Sequence, residues 1–467
     1  MSVTDQISSA LNDLRLGATS AAIDALGSIW RGIGKRPPAA LTQRGSAENL
    51  LLCGMLSSKL GAERKTKGAQ EAAKDLLNES FRLFAKLRDP RKAKAQIELA
   101  LCYWRSGEIN EAIAFIADVH PSDPEVEFEA ALTKALFETE TGKISAALET
   151  LHSIEADAEN MPTVLRGQFH QERAVALRSI PTTENLDRGL VEYEAALVSY
   201  EDAGCLKGEA MVRNNLASIY RDFGDYQRAQ FYAGKALRLF IQLGNQHLIA
   251  EAEDQQALIF FAEGNYSEAA RLSRLAAAHL QDSDQKAMHG RTLITLGRSL
   301  ARMGQVKEAR EELERAAVIF EHTNDPVGQA DSWLSMIEEL PLPTQTALEA
   351  IAHAGRLTTD TYLADRFRHA ATKVGKQLIG DDTSTFADLD EHVVDIKSNL
   401  VSRVMAKHGG ANARGAVVRA ASELGITHTG LLWFLNHHKD MGHKKRPRRR
   451  TIPFETRSSN AKSPHSK

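Results

Sequence analysis

The chain is 467 residues long, 43% hydrophobic and 25% charged, with a formal net charge of −3. That balance suits a folded, water-soluble chain of two or three domains, or one long repeat array with an added module. Three cysteines (Cys53, Cys102, Cys205) lie far apart without a CxxC pair, which excludes a disulfide framework and argues against a zinc site.

The opening MSVTDQISSALNDL has no basic segment followed by an apolar one, so no signal peptide is expected. No apolar run approaches the roughly 18 residues of a membrane span, and a cytoplasmic protein with no membrane partner is expected. Charge is unevenly placed. Residues 400–467 hold 14 Lys/Arg against 3 Asp/Glu, a balance of +11, while residues 1–399 hold 44 against 58, a balance of −14. Only the C-terminal end is suited to a polyanion.

In chain order, residues 1–43 read as an N-terminal helical cap, with LGATSAAIDALGSIW as its second helix and the two prolines of KRPPAAL (35–41) as a break. Residues 44–340 are repetitive. NLASIYRDFGDYQRAQFYAGKAL (215–237), QALIFFAEGNYSEAARLSRLAAA (256–278) and LGRSLARMGQVKEAREELERAAV (296–318) place Gly224, Gly264 and Gly304 at intervals of 40 residues. Ala229, Ala269 and Ala309 follow in register, then Ala236, Ala276 and Ala316. Looser copies centre on Gly107 with Ala112, on Gly142 with Ala147, and on Gly189 with Ala196. The pattern predicts helical hairpins: the glycine ends the first helix, and small residues let the second approach.

Leu216, Ala217, Tyr220, Gly224, Tyr226, Ala229 and Ala236 resemble the tetratricopeptide repeat position by position, and Leu296, Gly297, Leu300, Gly304, Val306, Ala309 and Ala316 follow nearly as well. The spacing departs from that family's usual period of about 34 residues. The second helix is expected to run on into an aromatic core residue at Phe84, Tyr200, Phe240 and Phe320. Repeats of this length look like those of bacterial regulators with a sensing superhelix. The resemblance implies a groove for a protein or peptide partner, lined by the first helix of each pair. The matching positions are Asn214, Asn215, Ser218, Arg221, Asp254, Gln255, Arg291, Arg298 and Arg302, all expected to be solvent-facing. Asn215 would bond a peptide backbone and the arginines would hold carboxylates. A merely solvated helix face is the competing reading.

PLPTQT (341–346) interrupts the pattern, and residues 341–380 are expected to form capping helices over about 345–357 and 361–379. GDDTST (380–385) marks a boundary. Residues 381–440 then read as a small helical module. DLDEHVVDIKSNLVSRVMAKHGG carries Val393, Ile396, Leu400 and Val404 on one face and stops at paired glycines. RAASELGITHTGLLWFLNHH (419–438) follows, with Gly425 at a turn and Thr427 as an N-cap. The long helix, the paired glycines and AAxxLGI resemble the helix-turn-helix of the factor for inversion stimulation. That resemblance implies DNA contacts from Thr427, His428, Thr429 and Trp433. Arg414, Arg419, Lys439 and the KKRPRRR run (Lys444, Lys445, Arg446, Arg448, Arg449, Arg450) would supply phosphate contacts. Leu432, Trp433 and Phe434 stand where that family carries basic residues, so bidentate base reading by arginine is absent. Residues 441–467 are expected to be a disordered basic tail.

There is no GxSxG, HExxH, Walker loop or GxGxxG, and no carboxylate or cysteine completes a metal site around His437, His438 and His443. No enzyme activity, metal or cofactor is therefore expected. The combined expectation is an all-α, bacterial-type DNA-binding regulator whose array receives a protein or peptide, nucleoid-associated, and a homodimer through the 388–408 helix. The alternative is an adaptor that binds only proteins, with its tail on RNA or an acidic partner and its last module serving dimerisation or docking.

Overall fold

A computed structural model describes residues 3–379, apart from 65, 181, 282, 284 and 358–360. Among the described residues every regular element is helical. Helices α1 (Val3–Arg15) and α2 (Thr19–Leu26) precede eight antiparallel hairpins. The first four are α3 (Gln43–Glu63) with α4 (Ala69–Lys86), α5 (Lys92–Arg105) with α6 (Ile109–Ala117), α7 (Pro124–Glu140) with α8 (Ile144–Ser153), and α9 (Thr163–Arg178) with α10 (Thr183–Ala203). The last four are α11 (Leu206–Asp222) with α12 (Tyr226–Gln242), α13 (Gln246–Glu263) with α14 (Tyr266–Leu280), α15 (Lys286–Arg302) with α16 (Val306–His322), and α17 (Pro326–Glu339) with α18 (Thr344–Leu357). Helix α19 (Thr361–Ile379) follows. The first helices of successive hairpins touch one another, and each second helix leans on the next first helix, which is the stacking of an α-solenoid. None of these helices is long and apolar enough to cross a membrane.

The turns mark the 40-residue period. Gly224, Gly264 and Gly304 take φ of 77°, 89° and 79°, the left-handed conformation that closes a first helix without a Cβ penalty. Asp225 and Asn265 then cap the second helix, accepting from the backbone N–H of Arg228 and Glu268. Ala229, Ala236, Ala269, Ala276, Ala309 and Ala316 are all fully buried between paired helices.

Both helices of the periodic pairs are long, 17 with 17, 18 with 15 and 17 with 17 residues, so the extra length is shared rather than confined, as expected, to the second helix. An aromatic near the end of several second helices is buried. Phe84, Tyr200, Phe240 and Phe320 are each at most 5% exposed. Two of them are gripped by glycines. A Cβ at Gly167 or Gly208 would meet the Tyr200 ring at 2.9 or 2.6 Å, and one at Gly290 or Gly328 would meet the Phe320 ring at 2.6 or 2.3 Å. The ring at the end of α10 or α16 therefore wedges between its own first helix and the next, joining hairpin to hairpin. Burying such a ring contributes about 1.5–3 kcal/mol.

Helix α1 packs on α2 and α3, burying Ile7, Ala10 and Leu14 against Leu50–Leu56 of α3. Its C-terminal end reaches much farther along the chain. The Cys205 thiol donates to the Leu16 carbonyl (3.5 Å), and Lys207 packs on Gly17 while pairing with Glu63 at 3.0 Å. Arg15 pairs with Glu125. The α1–α2 connection thus lies against residues of the first, third and fifth hairpins.

Candidate functional site

The first helices share a register set by their turn glycines. Thirteen residues before Gly107, Gly142, Gly264 and Gly304 stand Lys94, Glu129, Glu251 and Arg291, with Met211 in that place before Gly224. Nine residues before the same glycines stand Glu98, Thr133, Gln255 and Thr295, with Asn215 before Gly224. Opposite charges therefore fall on adjacent first helices, and one shared face becomes a ladder of polar and charged groups.

In the last four hairpins the ladder is partly closed on itself. Asn214 and Ser218, expected to be solvent-facing, are buried at 7% and 8% exposure. The Asn214 amide donates to Glu251 at 3.4 Å, while its Oδ1 has no partner. Ser218 accepts from Arg178, which pairs with Asp222 at 3.3 Å, and Arg221 donates to the same hydroxyl and to Asp222 at 2.7 Å. Asn215 is half-buried, and so is Gln255, whose buried Nε2 has no partner. Burial raises the Glu251 carboxyl, opposed by Arg291, and pushes Asp254 up to about 6 against the Thr292 hydroxyl and Arg291.

The expected open arginines also need correcting. Arg298 lies over the Phe261 ring at 4.6 Å and pairs with Glu339 at 3.4 Å, and Arg302 reaches the other oxygen of Glu339 at 2.5 Å. The Glu339 side chain is only 4% exposed, so both guanidiniums are drawn to an internal carboxylate. Arg291 remains exposed. The open part of this face is therefore Arg291 and the half-exposed Arg302 with Asn215 and Gln255, narrower than the set read from the sequence.

The first four hairpins carry a second charged group on the same face that the sequence reading did not single out. Lys94 bonds Glu129 at 2.6 Å and Glu98 at 3.3 Å. Burial works against its ammonium, yet those two carboxylates hold it above the usual amine range. Lys59 donates to the Leu14 carbonyl at 3.1 Å, and Arg105 donates to Ser58 Oγ at 2.8 Å. Burial pulls the Lys59 ammonium down to about 8, with Glu98 resisting. These groups border a cavity of about 540 Å³ covered by the end of α1. Nearby, burial lifts the Glu172 carboxyl to about 8, with Glu140 adding to the rise. A signal for Lys94, Glu98 and Glu129 existed in the sequence, namely the offset from Gly107 and Gly142, and Lys59 stands nine residues before Gly68, which takes a φ of 74° in the α3–α4 turn.

Arg414, Arg419, Thr427, His428, Thr429, Trp433, Lys439 and the basic run from Lys444 to Arg450 lie outside the described residues, as does the expected 388–408 dimer helix.

Comparison with known proteins bears on this architecture. The tetratricopeptide repeat family matches residues 212–240. Among solved structures, the apo form of RapI is 12% identical, with a TM-score of 0.50, over 75% of this chain and 99% of that one. The apo form of the quorum sensor NprR from B. thuringiensis is 14% identical, TM-score 0.48, over 74% of this chain and 95% of that one. A signal-transduction ATPase with a tetratricopeptide repeat sensor from Pyrococcus horikoshii is 15% identical, TM-score 0.49, over 79% of this chain but only 56% of its own length. No curated protein matches. At these identities the likeness to RapI shows the fold, a tetratricopeptide-like all-α solenoid.

Proposed function

We propose that this chain is a regulator that receives a protein or peptide on the first-helix face of α11–α17 and contacts DNA through residues 381–467. The observation that carries the first half is the polar ladder. Asn215, Gln255 and Arg291 stand on three successive first helices, and Asn214 Oδ1 and Gln255 Nε2 are buried there without partners. A buried polar atom without a partner is costly, and an extended peptide offers the alternating N–H and C=O groups that would satisfy such atoms. The second half rests on the sequence: the +11 balance of residues 400–467 against the −14 of the remainder, together with the glycine-split helix pattern around Gly425.

A genome-wide crosslinking map of the full-length protein tests the DNA reading. Sharp peaks that flatten in a Thr427→Ala/His428→Ala/Thr429→Ala variant support it. An even background would leave the protein-only adaptor. Replacing the six cations from Lys444 to Arg450 with glutamine should weaken binding to every sequence alike, and lower the salt slope by about 0.9 per lost phosphate contact.

A further inference from the structure

We propose that the cavity between the first four hairpins is a binding site for a small organic acid, with its carboxylate held between Lys59 and Arg105 and an apolar body against Trp104. This site is separate from the face of α11–α17 and does not depend on the reading given for that face.

Arg15, Lys59, Lys94 and Arg105 line the cavity with only two carboxylates, Glu98 and Glu129, and Arg15 is paired with Glu125. Lys94 bonds both Glu98 and Glu129. Lys59 and Arg105 hydrogen-bond neutral acceptors, the Leu14 carbonyl and the Ser58 hydroxyl, and share with Lys94 the charge of the Glu98 carboxylate. The two cations are also close enough to repel, since Arg105 is one of the charges that depress the Lys59 ammonium after burial itself. With Arg15 paired, three cations around two carboxylates leave one positive charge in excess, and an anion between Lys59 and Arg105 would balance it and relieve their repulsion. The Leu14 carbonyl also accepts from the Gly17 N–H at 3.2 Å and takes one N–H of Lys59, which leaves the ammonium two further donors for a carboxylate.

The other walls are apolar: Met55, Ile97, Leu101, Trp104, Leu136 and Val164. A volume of about 540 Å³ falls in the range of small-molecule sites, which pair mostly apolar linings with a few converging polar groups. Inorganic anions would leave those walls empty. A carboxylic acid with an aromatic or aliphatic body fills both parts.

The test titrates the full-length chain with 4-phenylbutyrate and follows tryptophan emission. A saturable change is expected that disappears in Trp104→Phe, which separates this site from Trp30, Trp333 and Trp433. The isosteric 4-phenyl-1-butanol should bind at least ~10-fold more weakly, since it forfeits the charge-assisted bonds. Lys59→Met should erase the preference for the acid while the circular dichroism and melting curve stay intact. If that variant fails to fold, Arg105→Gln reads the same preference. Leu101→Trp, which fills the cavity, should abolish binding of both compounds. The proposal is overturned by an absence of saturable binding, by equal affinity for acid and alcohol, or by a preference that survives loss of both cations.

Discussion

Residues 43–203 and residues 206–357 contain four hairpins each, built on the same first-helix register, yet they dispose of charge differently. In the earlier region Lys94, Glu98 and Glu129 are enclosed beneath the end of α1 and compensate one another at 2.6 and 3.3 Å. In the later region Arg291 is exposed, and Arg302 is half-exposed where it bridges to Glu339. Among the described residues the strictly periodic copies, with glycines every 40 residues, pack chiefly on their neighbouring hairpins. The irregular copies, with Gly107 and Gly142 only 35 residues apart, are the ones that accommodate α1. A repeat free of other packing duties can keep its period; one that must also seat another helix gives it up.

Four measurements test that contrast. The largest effect is expected at a joint of the later region. Gly328→Val would drive a branched carbon into the Phe320 ring and cost roughly 3 kcal/mol. Hydrogen exchange should then show α17 and α18 opening while α3–α10 keep their protection. Equal loosening throughout would mean that the two regions unfold as one.

The earlier region should instead be stabilised by removing an ionisable group. Glu172 is 6% exposed, and its carboxyl stays protonated up to about pH 8 in the folded chain. Because its folded value lies above the ordinary 4.5, the folded state holds the extra proton, and stability falls as pH rises between those values. Glu172→Gln should therefore raise stability by about 2 kcal/mol at pH 7, part of the gain being offset by the buried amide, with no gain at pH 4. Denaturant melts at the two pH values decide it, and a gain independent of pH would count against the assignment.

Asp89 gives the opposite sign in the same region. It accepts from Arg91 and from Arg44, and the bond from Arg91 holds its carboxyl down at about 2 despite burial. This stability is complete above the usual 3.8 and disappears as pH falls through 2. Asp89→Asn should cost about 1.5 kcal/mol at pH 7, and the difference from the parent chain should shrink steadily in acid. A constant difference would sink the explanation.

The smallest effect belongs to the open face. Replacing Arg298 and Arg302 with alanine should cost about 1 kcal/mol, because Glu339 is left buried and uncompensated, whereas Asn215→Ala should change stability by less than ~0.5 kcal/mol. The asparagine change should still reduce co-purification of a bound partner. If both variants melt like the parent, the internal pairing of these arginines is unimportant.

Much of the repeat body was legible because its signals are local. A glycine ends a helix, an alanine admits a neighbour, and an aromatic fills the joint, all within one hairpin. The burial of Ser218 and the pairing of Arg298 and Arg302 were not legible in that way. Their partners, Arg178 and Glu339, lie on the adjacent hairpin about forty residues away, and a polar residue on a helix face looks the same with or without one. The cavity was further out of reach. Amphipathic periodicity shows that α1 must bury a face, but not that its end will cover Lys59 and Glu98.

That placement of α1 also bears on how the protein is made. Solenoids gain most of their contacts from neighbours in sequence and can assemble as they emerge, but the bond from Cys205 to the Leu16 carbonyl spans 189 residues. At a synthesis rate of about 5–20 residues per second, the start of the chain waits roughly ten to forty seconds for its seat. Helix α1 can settle its apolar face on α3 early, whereas the turn at Gly17 has to be held open until the fifth hairpin arrives. Delays in translation before residue 205 would therefore prolong exposure of the cavity's charged lining.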